Sequence, residues 1–193
     1  DGQPLESTAQ ERATGYTVAR LHPSGHSLRV EVRPNGSTPS YGSVTSVGDR
    51  VQSTVAPHAG RDLSIGKRFL VLRAGEWVET ETFSLGERVR VQLTIEAGRD
   101  MEYVAVTDLR PAAFEPVDQM PGYVYDGSLA MYRTNGDTQT DLFVSFLPRG
   151  TYHVSYDMTA NNAGRFTSGI ATIQSQYAPE LTAHSGGTTI TIE

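Results

Sequence analysis

The feature that most constrains this chain is the strict alternation of apolar and polar residues in short segments. Residues 88–97, RVRVQLTIEA, set Val89, Val91, Leu93 and Ile95 against Arg88, Arg90, Gln92, Thr94 and Glu96. Successive side chains of a strand point to opposite faces, so this spacing predicts a strand with one face on a core and one in water. Residues 151–160 repeat the pattern, with Tyr152, Val154, Tyr156 and Met158 on one side and Thr151, His153, Ser155, Asp157 and Thr159 on the other. Weaker alternation marks 28–33, 51–55, 69–72, 77–80, 101–107, 129–133, 142–147, 169–174 and 188–192. No window of twelve or more residues carries the 3.6-residue apolar stripe of an amphipathic helix.

The breaks between these segments carry turn chemistry. Arg73-Ala74-Gly75-Glu76 joins two apolar stretches as a tight hairpin, and Asn135-Gly136 offers the positive-φ pair of a type I′ turn. The chain holds 19 Gly and 10 Pro, most of them between segments. Antiparallel strands joined by short polar turns, without crossover helices, predict an all-β fold, an antiparallel β-sandwich of fibronectin/immunoglobulin-like architecture. The polar run APHAGRDLS at 56–64 reads as a linker. Residues 59–193 have the length of a complete sandwich. Residues 1–58 hold too few strands to close a core and read as a partial β segment of a preceding domain.

Composition narrows the function classes. The chain has 193 residues, 37 % of them hydrophobic, which permits a substantial core, and it contains no Cys, so disulfides, thiolate metal sites and cysteine nucleophiles are excluded. Its 16 Lys and Arg against 22 Asp and Glu give a net charge of −6, the wrong sign for neutralising phosphates, so no nucleic-acid partner is expected. No apolar run approaches the roughly 20 residues of a membrane helix, and no membrane contact is expected of this piece. It opens without Met on a polar stretch, DGQPLESTAQERATG, which lacks signal-peptide character and suggests a piece of a longer protein.

The candidate chemical groups have bland readings. His22 and His26 flank a Pro/Gly turn, where they do not share a face as a helical zinc pair would, and His58, His153 and His184 are scattered, with His153 on the polar face of its strand. Asp137 and Asp141 bracket a turn; a calcium site there is conceivable, but solvated turn acids are the simpler reading. No Gly-x-Ser-x-Gly elbow occurs, so a serine hydrolase of the α/β type has no support. With the histidines and acids read as above, no enzyme, no metal and no cofactor are expected.

Two segments invite a binding role. Residues 110–128, RPAAFEPVDQMPGYVYDGS, read as a long loop carrying Phe114, Tyr123 and Tyr125; these aromatics form either a contact platform, for sugar as one case, or staples onto the sandwich itself. In Gln174-Ser175-Gln176-Tyr177-Ala178-Pro179-Glu180, a strand is stopped by Pro179, which cannot donate a ladder hydrogen bond. Tyr177 is thereby held at a strand end, where it can offer a ring and a hydroxyl to a neighbour.

Two long passages, GERVRVQLTIEAGRDMEYVAVTDLRPAAFEPV and LPRGTYHVSYDMTANNAGRFTSGIATIQSQYAPELTAHS, carry Phe-Glu-Pro and Tyr-x-Pro-Glu elements in order and spacing. The second half thereby resembles the C-terminal macroglobulin-like domain of bacterial alpha-2-macroglobulins, over about two-thirds of the chain. The resemblance implies a non-catalytic module of a large periplasmic or cell-envelope endopeptidase inhibitor, with lipoprotein anchoring left open. In such inhibitors bait cleavage triggers a rearrangement and an internal Cys-Gln thioester captures the protease. Its implied partners are the other domains of the same polypeptide and, through the full-length protein, target proteases. It further implies that Tyr177, with Gln176, Pro179 and Glu180, forms a loop that shields the thioester; the family often has Met before the aromatic, where this chain has Gln176. The alternative is a free-standing extracytoplasmic module binding carbohydrate or protein.

Overall fold

The computed structural model describes residues 10, 11, 17, 18, 43, 45, 48–127 and 129–193. The chain divides into two compact units, Asp1–Val47 and Gly48–Glu193. In the first, β1 (Gln10–Glu11) and β2 (Thr17–Val18) pair antiparallel. The expected strand at 28–33 and the His22/His26 pair lie outside the described residues.

The second unit is all-β. Its strands are β3 (Leu63–Arg73), β4 (Glu76–Glu79), β5 (Thr82–Phe83), β6 (Arg88–Ala97), β7 (Met101–Leu109), β8 (Phe114–Pro116), β9 (Gly122–Asp126), β10 (Leu129–Asn135), β11 (Gln139–Leu147), β12 (Gly150–Ala160), β13 (Gly164–Thr167), β14 (Ala171–Ser175), β15 (Thr182–His184) and β16 (Thr189–Ile192). A five-stranded sheet runs β4-β3-β6-β12-β8 and a six-stranded sheet β15-β14-β7-β11-β10-β9. A smaller sheet, β13-β16-β5, contains the one parallel pairing among the described strands, β16 with β5.

The alternation sets the core. Val89, Val91, Leu93 and Ile95 are all 0 % exposed, and Val154, Tyr156, Met158 and Ala160 continue the same face on β12. The six-stranded sheet answers with Val104, Val106, Leu142, Val144, Met131 and Ile173 in one contiguous cluster. Phe69, Phe83 and Phe114 meet edge to face at centroid separations of 5.4–6.1 Å, joining β3, β5 and β8.

Several expectations change. Residues 51–55 form a 3-10 turn, Gln52–Thr54, instead of a strand, closed by Thr54 N–H and Oγ1 donating to Val51 O at 2.9 and 2.8 Å. The expected long loop at 110–128 contains β8, paired with β12, and β9, paired with β10. Ala74 (φ 51°) and Gly75 (φ 90°) make the tight turn expected between β3 and β4. Asn135-Gly136 does not make a type I′ turn: neither residue has positive φ, and a three-residue connection closes with Gly136 N donating to Gln139 O at 2.9 Å.

Residues 52–58, before the polar run's end, are tied to the strands that close the chain. Gly187 N donates to Val55 O at 2.9 Å, and His58 and His184 exchange both backbone hydrogen bonds at 2.9 Å. This strap lies so close that a Cβ on Gly187 would stand 1.9 Å from Gln52 O.

Candidate functional site

A break in the pleat of β7 shapes the surface of greatest interest. Met101, Val104, Val106 and Asp108 point inward, but Glu102 and Tyr103 are both exposed, and the pair 103/145 drops out of the ladder with β11. Tyr103 takes up the break with φ 51°, a conformation that costs a bulky residue roughly 1–3 kcal/mol and persists where its surroundings impose it. Its ring is thereby turned out of the core, 51 % exposed.

Tyr177 rests on that ring. The two centroids are 5.3 Å apart at 88°, an edge-to-face pair. The loop carrying Tyr177 is pinned at its base. Gln176 N donates to Tyr103 O at 2.9 Å, Ser175 N to Leu181 O at 3.0 Å, Leu181 N to Ala178 O at 2.8 Å and Gln174 Nε2 to Pro179 O at 3.1 Å. Leu181 is buried as its anchor, while Tyr177 is 81 % exposed. Gln176, Pro179 and Glu180 are exposed around it. Beside Tyr177 lies an open cleft of about 260 Å³ floored by Met101, Ser175 and Leu181 and rimmed by Arg99, Asp100 and Glu102.

The other candidate aromatics separate. Tyr123 and Tyr125 are exposed on the outer face of β9, where Tyr123, Tyr132 and Phe143 fall in register across β9, β10 and β11. Tyr123 and Tyr132 pack edge to face at 5.3 Å. Phe114 does not belong with them. It is 1 % exposed in the Phe69–Phe83–Phe114 cluster, so it is core and unavailable to any partner. Its strand, β8, is an edge strand paired with β12, and Phe114 stands opposite the buried Ala160, so its ring turns inward.

One buried polar group was missed in the alternation. Lys67, in phase with Ile65 and Phe69, points into the core and donates to Asp108 Oδ1 at 2.6 Å, Leu109 O at 2.9 Å and Ser168 O at 3.0 Å, using all three ammonium protons. Tyr156 donates its hydroxyl to the other Asp108 oxygen. Burial lowers the Lys67 pKa against the pull of Asp108; burial, then Asp108, raises that of Tyr156 well above its ordinary value. The signal in the sequence is a charged residue at each apolar phase position, Lys67 on β3 and Asp108 on β7. The pair ties the two sheets together and is closed to solvent.

On the outer face of the five-stranded sheet, Arg90 stacks over Trp77 at 3.9 Å and pairs with Asp157 at 2.8 Å, joined by Arg88 at 2.6 Å. Burial would raise the Asp157 pKa, but hydrogen bonds from Arg90 and Arg88 more than offset it and hold the carboxyl below its usual range. His153 is exposed on the same face, as the alternation predicts, beside Thr94. Asp141 is engaged by Thr107 and Gln139, Asp137 is exposed, and among the described residues no three His, Cys, Asp or Glu side chains converge.

The sequence pattern of the family described as "Bacterial Alpha-2-macroglobulin MG10 domain" matches residues 63–180, well over half of the chain. The chain belongs to this family. The matched stretch of the MG10 domain begins at β3 and ends within the Tyr177 loop. Solved structures agree on the fold. A point mutant of Salmonella alpha-2-macroglobulin superposes with a TM-score of 0.59 at 21 % identity, over 72 % of this chain and 10 % of that one. Native Escherichia coli alpha-2-macroglobulin, from domain MG7 to the C-terminus, gives 0.58 at 17 % identity over 70 % and 24 %. Escherichia coli alpha-2-macroglobulin activated by porcine elastase gives 0.59 at 18 % identity over 74 % and 14 %. This chain therefore spans a quarter or less of each of those proteins. No curated protein sequence matches.

Proposed function

We propose that this MG10 domain is a non-catalytic C-terminal module of a bacterial, extracytoplasmic alpha-2-macroglobulin-like endopeptidase inhibitor. It packs against other domains of the same polypeptide, with the sandwich from residue 59 onward as the docking body, and covers the thioester domain with the Tyr177 loop. The observation that carries this reading is the Tyr177–Tyr103 pair. A tyrosine 81 % exposed is braced at 5.3 Å by a second tyrosine held in a costly backbone conformation, on a loop whose base is hydrogen-bonded on both sides. Backbone strain spent to present an exposed ring suits a surface that is covered in the assembled protein.

The chemistry follows from what the chain lacks and what it presents. With no Cys, the chain cannot form a thioester, so its part is to exclude water from one carried elsewhere in the parent. A rigid ring laid over a thioester keeps water and amines out until the domain moves, and bait cleavage then couples to reactivity as in other switches that release stored strain. The test is the full-length parent carrying Tyr177→Ala. Methylamine incorporation without protease treatment should rise and protease capture should fall; unchanged values for both would overturn the shielding role. Gln176→Met, which makes the cover more apolar, should lower methylamine incorporation.

The in-register Tyr123, Tyr132 and Phe143 row supports a second reading, a carbohydrate- or protein-binding module. Glycan-array binding by the isolated chain, lost on Tyr123→Ala or Tyr125→Ala, would favour it.

A further inference from the structure

The strap before β3 and the strand β15 bring together two histidines that lie far apart in sequence. His58 and His184 exchange both backbone hydrogen bonds at 2.9 Å, a hydrogen-bonded antiparallel pair, so their side chains leave the same face of the bridge. Their ring centroids are 5.6 Å apart with the planes tilted by 32°. With metal–nitrogen bonds of about 2.0–2.1 Å, the centroid of a ligating imidazole stands about 3.2 Å from the ion, so two rings on one ion have centroids within about 6.4 Å. The observed separation is inside that limit, and the broad χ2 torsion of histidine lets the ring nitrogens turn toward a shared ion.

A second observation selects the tautomer that ligation needs. His184 Nδ1 lies 3.0 Å from Ser185 O, and a carbonyl only accepts, so in the neutral ring the proton sits on Nδ1 and the lone pair on Nε2. A ring N–H held by a backbone carbonyl, with the other nitrogen bare, is the usual arrangement behind a metal-bound imidazole. His58 is exposed and His184 half-buried, so an ion reaches both, and water completes the coordination.

We propose that His58 and His184 form a two-imidazole site for a divalent first-row transition ion, Cu(II) ahead of Ni(II), that staples the strap to β15. The ion class follows from the ligands: imidazole suits Cu, Ni and Zn, and affinity at such a site peaks at Cu(II). Both histidines lie outside residues 63–180, so the site belongs to the extension of this chain beyond the stretch the family pattern matches. It is independent of the Tyr177 reading.

The test uses the whole chain and CuCl2 in a non-chelating buffer, followed by calorimetry. One equivalent should bind, and His58→Gln and His184→Gln should each weaken it by at least about tenfold, at or above the loss typical of outer-shell changes. His153→Gln and the double change at His22 and His26 should leave affinity unaltered. Paramagnetic broadening in the unmodified protein removes any dependence on variant folding: signals around His58 and His184 should vanish first. No binding, affinity unchanged in both His58→Gln and His184→Gln, or broadening centred on His22 and His26 each overturns the site.

Discussion

Single residues in this domain divide by whether their phase in the strand turns them in or out. Phe114 and Tyr125 occupy the same proline-rich stretch, yet one is 1 % exposed and the other 69 %. In urea unfolding, Phe114→Ala should cost about 3–5 kcal/mol through the void left between Phe69 and Phe83, whereas Tyr125→Ala should fall within about 0.5 kcal/mol of the parent. Asp157 makes the corresponding electrostatic prediction. Its carboxyl is held below its unfolded value, so its contribution is complete above the unfolded pKa of about 3.9 and is lost as pH falls through the folded value. Stability should therefore drop more steeply on acidification in the unaltered chain than in Asp157→Asn. The exposure of Phe114 was not readable in the sequence because apolar residues serve core and platform alike; only the pairing of β8 with β12 distinguishes them.

At the scale of elements, the two facing sheets are joined by more than apolar packing. Lys67 on β3 satisfies its three protons on β7 and on Ser168 before β14, and Tyr156 on β12 completes Asp108. Lys67→Met leaves Asp108 buried without its cation and should cost about 3–5 kcal/mol, while Lys67→Met, Asp108→Leu and Tyr156→Phe together should recover most of that loss, because a well-packed apolar replacement of a buried pair is often neutral. The strap gives another test at this scale. Gly187→Ala places a Cβ 1.9 Å from Gln52 O, so it should lower the thermal midpoint and raise exchange of the residue 187 amide, which donates to Val55 O, and of the His58 amide, which donates to His184 O, without altering exchange in β6. Strands with strict alternation, β6 and β12, were legible in the sequence. The short strands β5, β8, β13 and β15 were not, since their own residues show no clear alternation and they exist as strands only because a neighbour supplies their hydrogen bonds.

For the whole molecule, the proposed shielding separates stability from function. Tyr177 contacts Tyr103 and little else, so Tyr177→Ala in the isolated chain should leave its unfolding free energy within about 0.5 kcal/mol, while in the parent protein it should raise methylamine incorporation. Tyr103→Ala should act in the same direction on methylamine incorporation, because the ring that braces Tyr177 is removed. The sequence by itself determined the all-β class, the inward faces of β6 and β12, the hairpin at Ala74-Gly75 and the family resemblance, because period two, turn chemistry and short motifs are local properties of the chain. Only the tertiary structure decided that Phe114 is core, that Lys67 and Asp108 neutralise each other between sheets, that Tyr103 leaves its strand phase to meet Tyr177, and that His58 reaches His184. Those outcomes join residues from about forty to well over a hundred positions apart, and the register of pairing that brings them together is set by the packing of the whole sandwich, not by any one segment.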